Sequence, residues 1–171
     1  MNQARIYSNS HDEYYTPRYA VAPILKYLKP KSTIWCPFDT AESYYVKLLT
    51  EAGHTVVHTH IHHGQDFFKL NVPCDYIISN PPYSLKTEVL ERLFELGKPF
   101  AMLVGIVGIF DSKKRSELFR DKPFEVLYLS PRVAFLADYD GTVLKSLPFQ
   151  SGYICSGILS RQIMFEVIKK S

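Results

Sequence analysis

Asp75-Tyr76-Ile77-Ile78-Ser79-Asn80-Pro81-Pro82-Tyr83 is the stretch that decides the fold. Residues 75–79 read as a short apolar strand. Residues 85–96 read as a helix, with Leu85, Val89, Leu93 and Leu96 on one face and Gly97 as its stop. Between them two successive prolines fix φ, and Pro81 pushes Asn80 out of the helical region. The loop is therefore rigid, and it holds one amide side chain and one aromatic ring in set directions. A strand, a stiff loop and a helix form the repeating unit of an α/β fold.

The same alternation extends in both directions. Upstream, Ala20, Val21, Ile24, Leu25 and Leu28 recur at helical spacing, Pro23 lies within the run, and Lys29-Pro30 ends it. A buried strand is expected over 33–36, a helix over 41–52 before Gly53, and a strand over 55–61. Downstream, 100–106 is a continuous apolar run, as in a central strand covered on both faces. A short helix is expected over 112–120. Three strands follow, over 124–129, 153–159 and 162–168, the last two read as a hairpin pair. The expected fold class is α/β: a Rossmann-like, doubly wound, mostly parallel sheet with an antiparallel edge. In such sheets ligands sit beyond the carboxyl ends of the strands, at the switch point. The loops after Cys36, Ile61, Ser79 and Ile106 are where chemistry is expected.

The 171 residues are 46% apolar and 14% aromatic, which suits one domain over 1–171 and excludes a disordered chain. Residues 1–13 are polar and expected to be loose. Lys and Arg number 20 against 17 Asp and Glu, for a net charge of +3. That excludes a strongly cationic nucleic-acid coat but leaves room for a local basic face. The longest apolar run, 100–110, is about half of what a bilayer span needs. The N-terminal stretch has no apolar core and reads as no signal peptide. Cys36, Cys74 and Cys155 are odd in number, widely spaced and free of any CxxC pair. A disulfide framework and a zinc knot are thus disfavoured, and a reducing, cytoplasmic address is expected.

Asn80-Pro81-Pro82-Tyr83, at the carboxyl end of a strand, resembles the signature of S-adenosylmethionine-dependent amino methyltransferases, chiefly the N6-adenine DNA methyltransferases. These have the class I methyltransferase fold. The resemblance implies that Asn80, Pro81, Pro82 and Tyr83 carry the catalytic role. An Asn80 side-chain oxygen and a Pro81 carbonyl can both accept hydrogen bonds from an exocyclic amine, orient its lone pair and stabilise positive charge growing on nitrogen. Tyr83 offers a ring on which an extruded base can stack.

The same resemblance implies a cofactor site for S-adenosyl-L-methionine. Tyr15-Thr16-Pro17 resembles the family's N-terminal cofactor motif, although Thr16 before Pro17 is equally a good helix cap, and one residue can do both. Cys36-Pro37-Phe38-Asp39-Thr40-Ala41-Glu42 stands where the family has Asp-Pro-Phe-x-Gly-x-Gly. Only Pro37 and Phe38 match. Cys36 replaces the acid, Thr40 and Glu42 replace both glycines, and Asp39 is a candidate for the missing carboxylate. A small group of phage- or prophage-associated methyltransferase-like proteins shares this Trp-Cys-Pro-Phe-Asp stretch. Asp66 falls where the family binds the cofactor's adenine amine, with Phe67 packing on the ring; an Asp capping a turn is the plainer reading. The ribose-binding acid expected after the second strand is absent, and His58 or His60 stands near its place.

Five of the six histidines lie between His54 and His63. His58, His60 and His62 would share one face of a strand, yet no Cys or carboxylate motif is placed to complete a zinc site, and no metal is expected. Lys113, Lys114 and Arg115 are candidates to meet nucleic-acid phosphates, against the plainer reading of a solvated helix face. Arg132, in Pro131-Arg132-Val133-Ala134-Phe135, joins them. With Pro148-Phe149-Gln150-Ser151-Gly152, that segment brackets a polar loop over 137–146 and resembles the C-terminal half of phage adenine methyltransferases. No segment is long enough for a separate target-recognition domain.

The function expected is methyl transfer to the N6 amine of adenine in DNA, with no membrane association. The same tetrapeptide occurs in RNA and protein-glutamine methyltransferases, so RNA or a protein remains an alternative acceptor. A non-catalytic, methyltransferase-like binding protein, with a protein partner, is the reading from a different class. The lost glycines support it.

Overall fold

The computed structural model describes residues 14–144 and 149–170. Residues 1–13, positions 145–148, which take in the end of the polar loop over 137–146 and Pro148 of the segment bracketing it, and position 171 lie outside the described residues. The elements in chain order are α1 (Arg18–Leu25), β1 (Thr33–Cys36), α2 (Tyr44–Glu51), β2 (Thr55–His58), β3 (Tyr76–Ser79), α3 (Lys86–Leu96), β4 (Phe100–Gly105), α4 (Lys113–Asp121), β5 (Glu125–Ser130), β6 (Ser151–Ser156) and β7 (Ile163–Val167). The seven strands form one sheet in the order β2-β1-β3-β4-β6-β5-β7. Every described pairing is parallel except those of β6, which runs antiparallel to both β4 and β5.

Alternation along the strands feeds two cores. Ile34, Cys36, Tyr76, Ile78, Ala101 and Leu103 face α1 and α2. Trp35, Ile77, Phe100, Met102 and Val104 face α3 and α4. Burial on both faces explains why these strands read as unbroken apolar runs. Local signals set the helix ends. Ser43 caps α2 by accepting from the Tyr45 amide at 3.1 Å, so this helix starts at Tyr44 rather than 41. Gly97 ends α3 at φ 66°, a left-handed conformation that glycine adopts without strain. Among the described residues no helix is long and apolar enough to cross a membrane.

In the strands the structure differs from the sequence reading in three further ways. The second strand stops at His58, and residues Ile61–His63 form a short 3₁₀ turn capped by His60, whose Nδ1 accepts from the His62 amide at 3.2 Å. The three alternating histidines therefore share no strand face. Secondly, β6 and β7 are not a hairpin. Glu125, the first residue of β5, accepts the backbone N–H groups of Gly157, Ile158 and Leu159 at 3.1, 2.9 and 2.8 Å. These bonds carry the chain past the start of β5, so β7 pairs parallel on its outer side. Thirdly, the antiparallel strand is inserted between β4 and β5 rather than placed at the rim. Its residues 151–155 are all buried, which demands neighbours on both sides.

Candidate functional site

Strand order reverses at β1, which has β2 on one side and β3 on the other. The loops leaving β1 and β3 at their carboxyl ends thus lie side by side. Between them opens a cleft lined by Tyr14, Tyr15, Thr16, Pro37, Phe38 and Asp39, by His60, Ile61, Gln65 and Phe67, and by Asn80, Pro81, Pro82 and Tyr139. It holds about 780 Å³ of empty space, its solvent-open part included.

The Asn80 amide is held from one side. Its Nδ2 donates to the Tyr14 carbonyl at 2.6 Å. A carbonyl accepts only from a donor, so this bond settles which end of the amide faces it. The other end, Oδ1, is buried and has no hydrogen-bond partner among the described residues. A buried acceptor without a partner costs free energy unless a ligand supplies a donor. The Tyr14–Thr16 segment that anchors Asn80 is itself fixed by a bridge to Leu136. The Tyr15 amide donates to the Leu136 carbonyl at 3.2 Å and the Leu136 amide returns a bond at 2.8 Å.

The loop after β1 is held by Asp39, which is 5% exposed. Ser43 Oγ donates to its Oδ1 and Ser79 Oγ to its Oδ2, each at 2.5 Å. Burial pushes the Asp39 carboxyl up to about 6, and the two serine hydroxyls hold it from rising further. The apolar wall is aromatic: Phe38 packs on Phe67 with ring centres 5.0 Å apart, and Trp35 backs Phe67 at 5.5 Å.

The cleft gathers Tyr15, Thr16, Pro37, Phe38, Asp39, Phe67, Asn80, Pro81 and Pro82 from four separate stretches of chain. Other expected site residues are placed elsewhere. Pro17 is the N-cap of α1, so Thr16 does not take that position. Cys36 ends β1 with its side chain fully buried in the α1/α2 core, where burial pushes its thiol well up. His58 closes β2 outside the lining, and His60, two residues on, lies within it. Asp66 accepts from the Phe68 amide at 3.0 Å in a turn, with its neighbours Gln65 and Phe67 reaching the cleft. The Tyr83 ring packs among Tyr14, Phe135 and Phe149, at 5.3, 6.2 and 5.3 Å, behind the lining.

The basic cluster is largely paired. Arg115 donates to the carbonyls of Ile109 and Gly108 at 2.7 and 3.0 Å and to Thr87 Oγ1 at 2.8 Å. Lys114 pairs with Glu91 at 3.0 Å and Lys113 with Glu117 at 3.9 Å. Arg132 is exposed. Among the described residues no group of three His, Cys, Asp or Glu is placed to hold a metal ion.

Sequence reasoning missed Tyr14, Ile61, Gln65 and Tyr139 as lining residues and Ser79 as the partner of Asp39. Ser79 carried a signal: a lone hydroxyl at the end of an apolar strand. Tyr139 reaches the cleft because the 137–144 loop folds back, packing its ring 4.5 Å from Tyr15 and 5.9 Å from Tyr44. Thr40 and Glu42, which stand where glycines were expected, lie outside the lining, and Glu42 turns to Lys47 at 3.1 Å.

No protein-family model matches the chain, and no curated protein sequence does. Solved structures do. A chain assigned as the modification subunit of a type I restriction enzyme from Vibrio vulnificus superimposes with a TM-score of 0.52 at 13% identity, over 90% of this chain and 46% of that one. This chain thus spans about half the length of that relative. A chain assigned as an RNA methyltransferase from Pyrococcus horikoshii superimposes with a TM-score of 0.50 at 14% identity, over 88% of this chain and 89% of that one. Likeness at this identity speaks to architecture alone: the chain has a Rossmann-like fold of the class I methyltransferase type.

Proposed function

We propose that this protein is an S-adenosyl-L-methionine-dependent methyltransferase whose acceptor is the exocyclic N6 amine of adenine in DNA. The observation that carries this reading is the Asn80 amide. Its nitrogen is tied to Tyr14 and its oxygen is left buried, without a partner among the described residues, at the carboxyl end of β3. That oxygen suits an amine hydrogen. With the Pro81 carbonyl beside it in sequence, Asn80 would bind both hydrogens of an NH₂ group, turn the nitrogen lone pair toward the cleft and stabilise the positive charge that grows on nitrogen. No strong base is needed, since the amine proton becomes acidic as the bond forms and can leave late.

The donor fits the remaining wall. S-adenosyl-L-methionine supplies an electrophilic methyl group. Phe38 and Phe67 offer apolar faces for its adenine, His60 and Gln65 offer polar atoms for its ribose, and Tyr15 and Thr16 line the part nearest Asn80. The departures from the family's glycine pattern leave this wall clear, because the Thr40 and Glu42 side chains stand outside it. Tyr83 would reach a base only if the ring cluster with Tyr14 and Phe149 parted. Lys113, exposed on α4, and Arg132 are the candidate phosphate contacts. DNA is favoured over RNA because the tetrapeptide resembles the N6-adenine DNA enzymes most.

The test is calorimetric titration with S-adenosylmethionine and with its homocysteine product, followed by incubation with labelled cofactor and separate DNA, RNA and protein pools. Binding with label in DNA adenine is expected. Absence of binding at millimolar ligand would sink the reading, and label in RNA or protein would replace the acceptor.

A further inference from the structure

We propose that Asp39 is a positioning residue: it clamps the loop after β3 to the loop after β1 and, through Ser79, holds Asn80 in place. Asp39 lines the cleft, where the acid of such a loop is expected to meet cofactor. Its two carboxylate oxygens are instead turned to Ser43 and Ser79. All three side chains are buried, Ser43 and Ser79 at 1% and 0% exposure. The bonds form a chain: the Tyr45 amide donates to Ser43 Oγ, Ser43 donates to Asp39, and Ser79 donates to the other oxygen. The start of α2, the end of β3 and the loop after β1 are thereby joined at one carboxylate. A third bond, from the Asp39 amide to the Thr59 carbonyl at 3.1 Å, fixes the backbone of this loop against the segment after β2.

Ser79 directly precedes Asn80. The target amide is therefore anchored twice: through its backbone by Ser79 on Asp39, and through its side chain by Nδ2 on Tyr14. Two anchors leave Oδ1 with one direction, which is what amine recognition requires. A buried carboxylate is a costly way to cross-link two loops. It is retained where geometry matters, since one carboxylate accepts from two hydroxyls at once.

This proposal rests on the methyl-transfer reading for its kinetic arm only. Asp39→Ala, Asp39→Asn, Ser79→Ala and the Asp39→Ala/Ser79→Ala pair are compared with wild type in the full chain. Cofactor affinity is read by calorimetry and transfer by kcat. The Asn80 side-chain amide protons are followed by NMR in the cofactor-free protein. Asp39→Ala and Ser79→Ala should each lower kcat about tenfold or more with cofactor affinity kept within about threefold. The double variant should be no worse than the worse single one. Asp39→Asn, whose amide can bond both serines, should recover most of the rate. The Asn80 amide signals should move in both alanine variants. Cofactor affinity lost in Asp39→Ala and not recovered in Asp39→Asn would make Asp39 a charge on the cofactor and overturn the proposal. So would unmoved Asn80 signals. If wild type transfers no methyl group, the functional reading falls, and the NMR arm still decides the clamp.

Discussion

The two loops that meet in the cleft use their residues in opposite ways. The loop after β3, Asn80-Pro81-Pro82, matches the pattern it resembles at each position; the loop after β1 keeps only Pro37 and Phe38. After β3 the proposed chemistry needs a particular atom, an amide oxygen, at a particular place, and asparagine with a rigid backbone supplies it. After β1 the need is a shape. A shape can be reached by glycines that let backbone come close or, as here, by a carboxylate that pulls the loop against its neighbours. Loops that supply atoms stay recognisable in sequence, while loops that supply shape can change their means.

The largest effect that separates the two loops belongs to Asn80. Asn80→Ala should cut methyl transfer roughly 10²–10³-fold, the loss typical of removing one polar group that stabilises developing charge. Cofactor affinity should be largely intact by calorimetry, and equal activity in the variant would refute the role given to Asn80.

Asp39 comes next, and its titration adds an effect on stability to the one on rate. Its carboxyl is raised from 3.8 to about 6 in the fold by burial. It shares this interior with the Cys36 thiol on β1 and the Tyr45 and Tyr153 phenols on α2 and β6, all pushed up by burial. Below pH 4 the group is protonated in both states and costs nothing. As pH rises through 4 to 6 the unfolded chain ionises first, and stability is lost. The full loss is roughly 3 kcal/mol. Asp39→Asn should remove this fall, so its stability relative to wild type should rise by about that much between pH 4 and pH 7 in denaturant unfolding. A constant difference across that range would show that Asp39 does not titrate in this way.

Arg115 tests whether the basic cluster serves the fold or a ligand. It holds two carbonyls of the loop after β4 and Thr87 on α3. Arg115→Ala should lower unfolding free energy by about 1–3 kcal/mol, because half-buried acceptors lose a charged donor. Lys113, with a side chain 90% exposed, should change stability by less than about 0.5 kcal/mol on Lys113→Ala. If Lys113 meets a phosphate, the same variant should reduce the salt slope of DNA binding by about one.

The smallest effect sharpens the loop comparison itself. Thr40→Gly with Glu42→Gly restores the glycines expected after β1. Since neither side chain lines the cleft, cofactor affinity should change less than about twofold, with a stability cost of about 0.5–1 kcal/mol per glycine from unfolded-chain entropy. A gain in affinity of tenfold or more would show that these side chains do obstruct the cofactor.

Much of the fold was legible because it rests on local signals. Two prolines stiffen the loop after β3, Gly97 ends α3 and Ser112 caps α4. Unbroken apolar runs marked the central strands. Two strands close in sequence read as a hairpin, yet β6 and β7 do not pair with each other. The decision lay with Glu125, which draws the intervening backbone past β5. Likewise the histidine alternation looked like a strand face until a 3₁₀ turn interrupted it.

By itself the sequence determined the α/β alternation, the rigid Asn80 loop and the residue types available at each strand end. These follow from φ restriction and from apolar periodicity, which act over a few residues. Only the tertiary structure decided that Asn80 Nδ2 faces Tyr14, that Asp39 spends both oxygens on serines 4 and 40 residues away, and that Tyr139 closes on Tyr15. Hydrogen bonds between loops depend on which strand ends the sheet order brings together, and that order is set by the burial of the whole sheet.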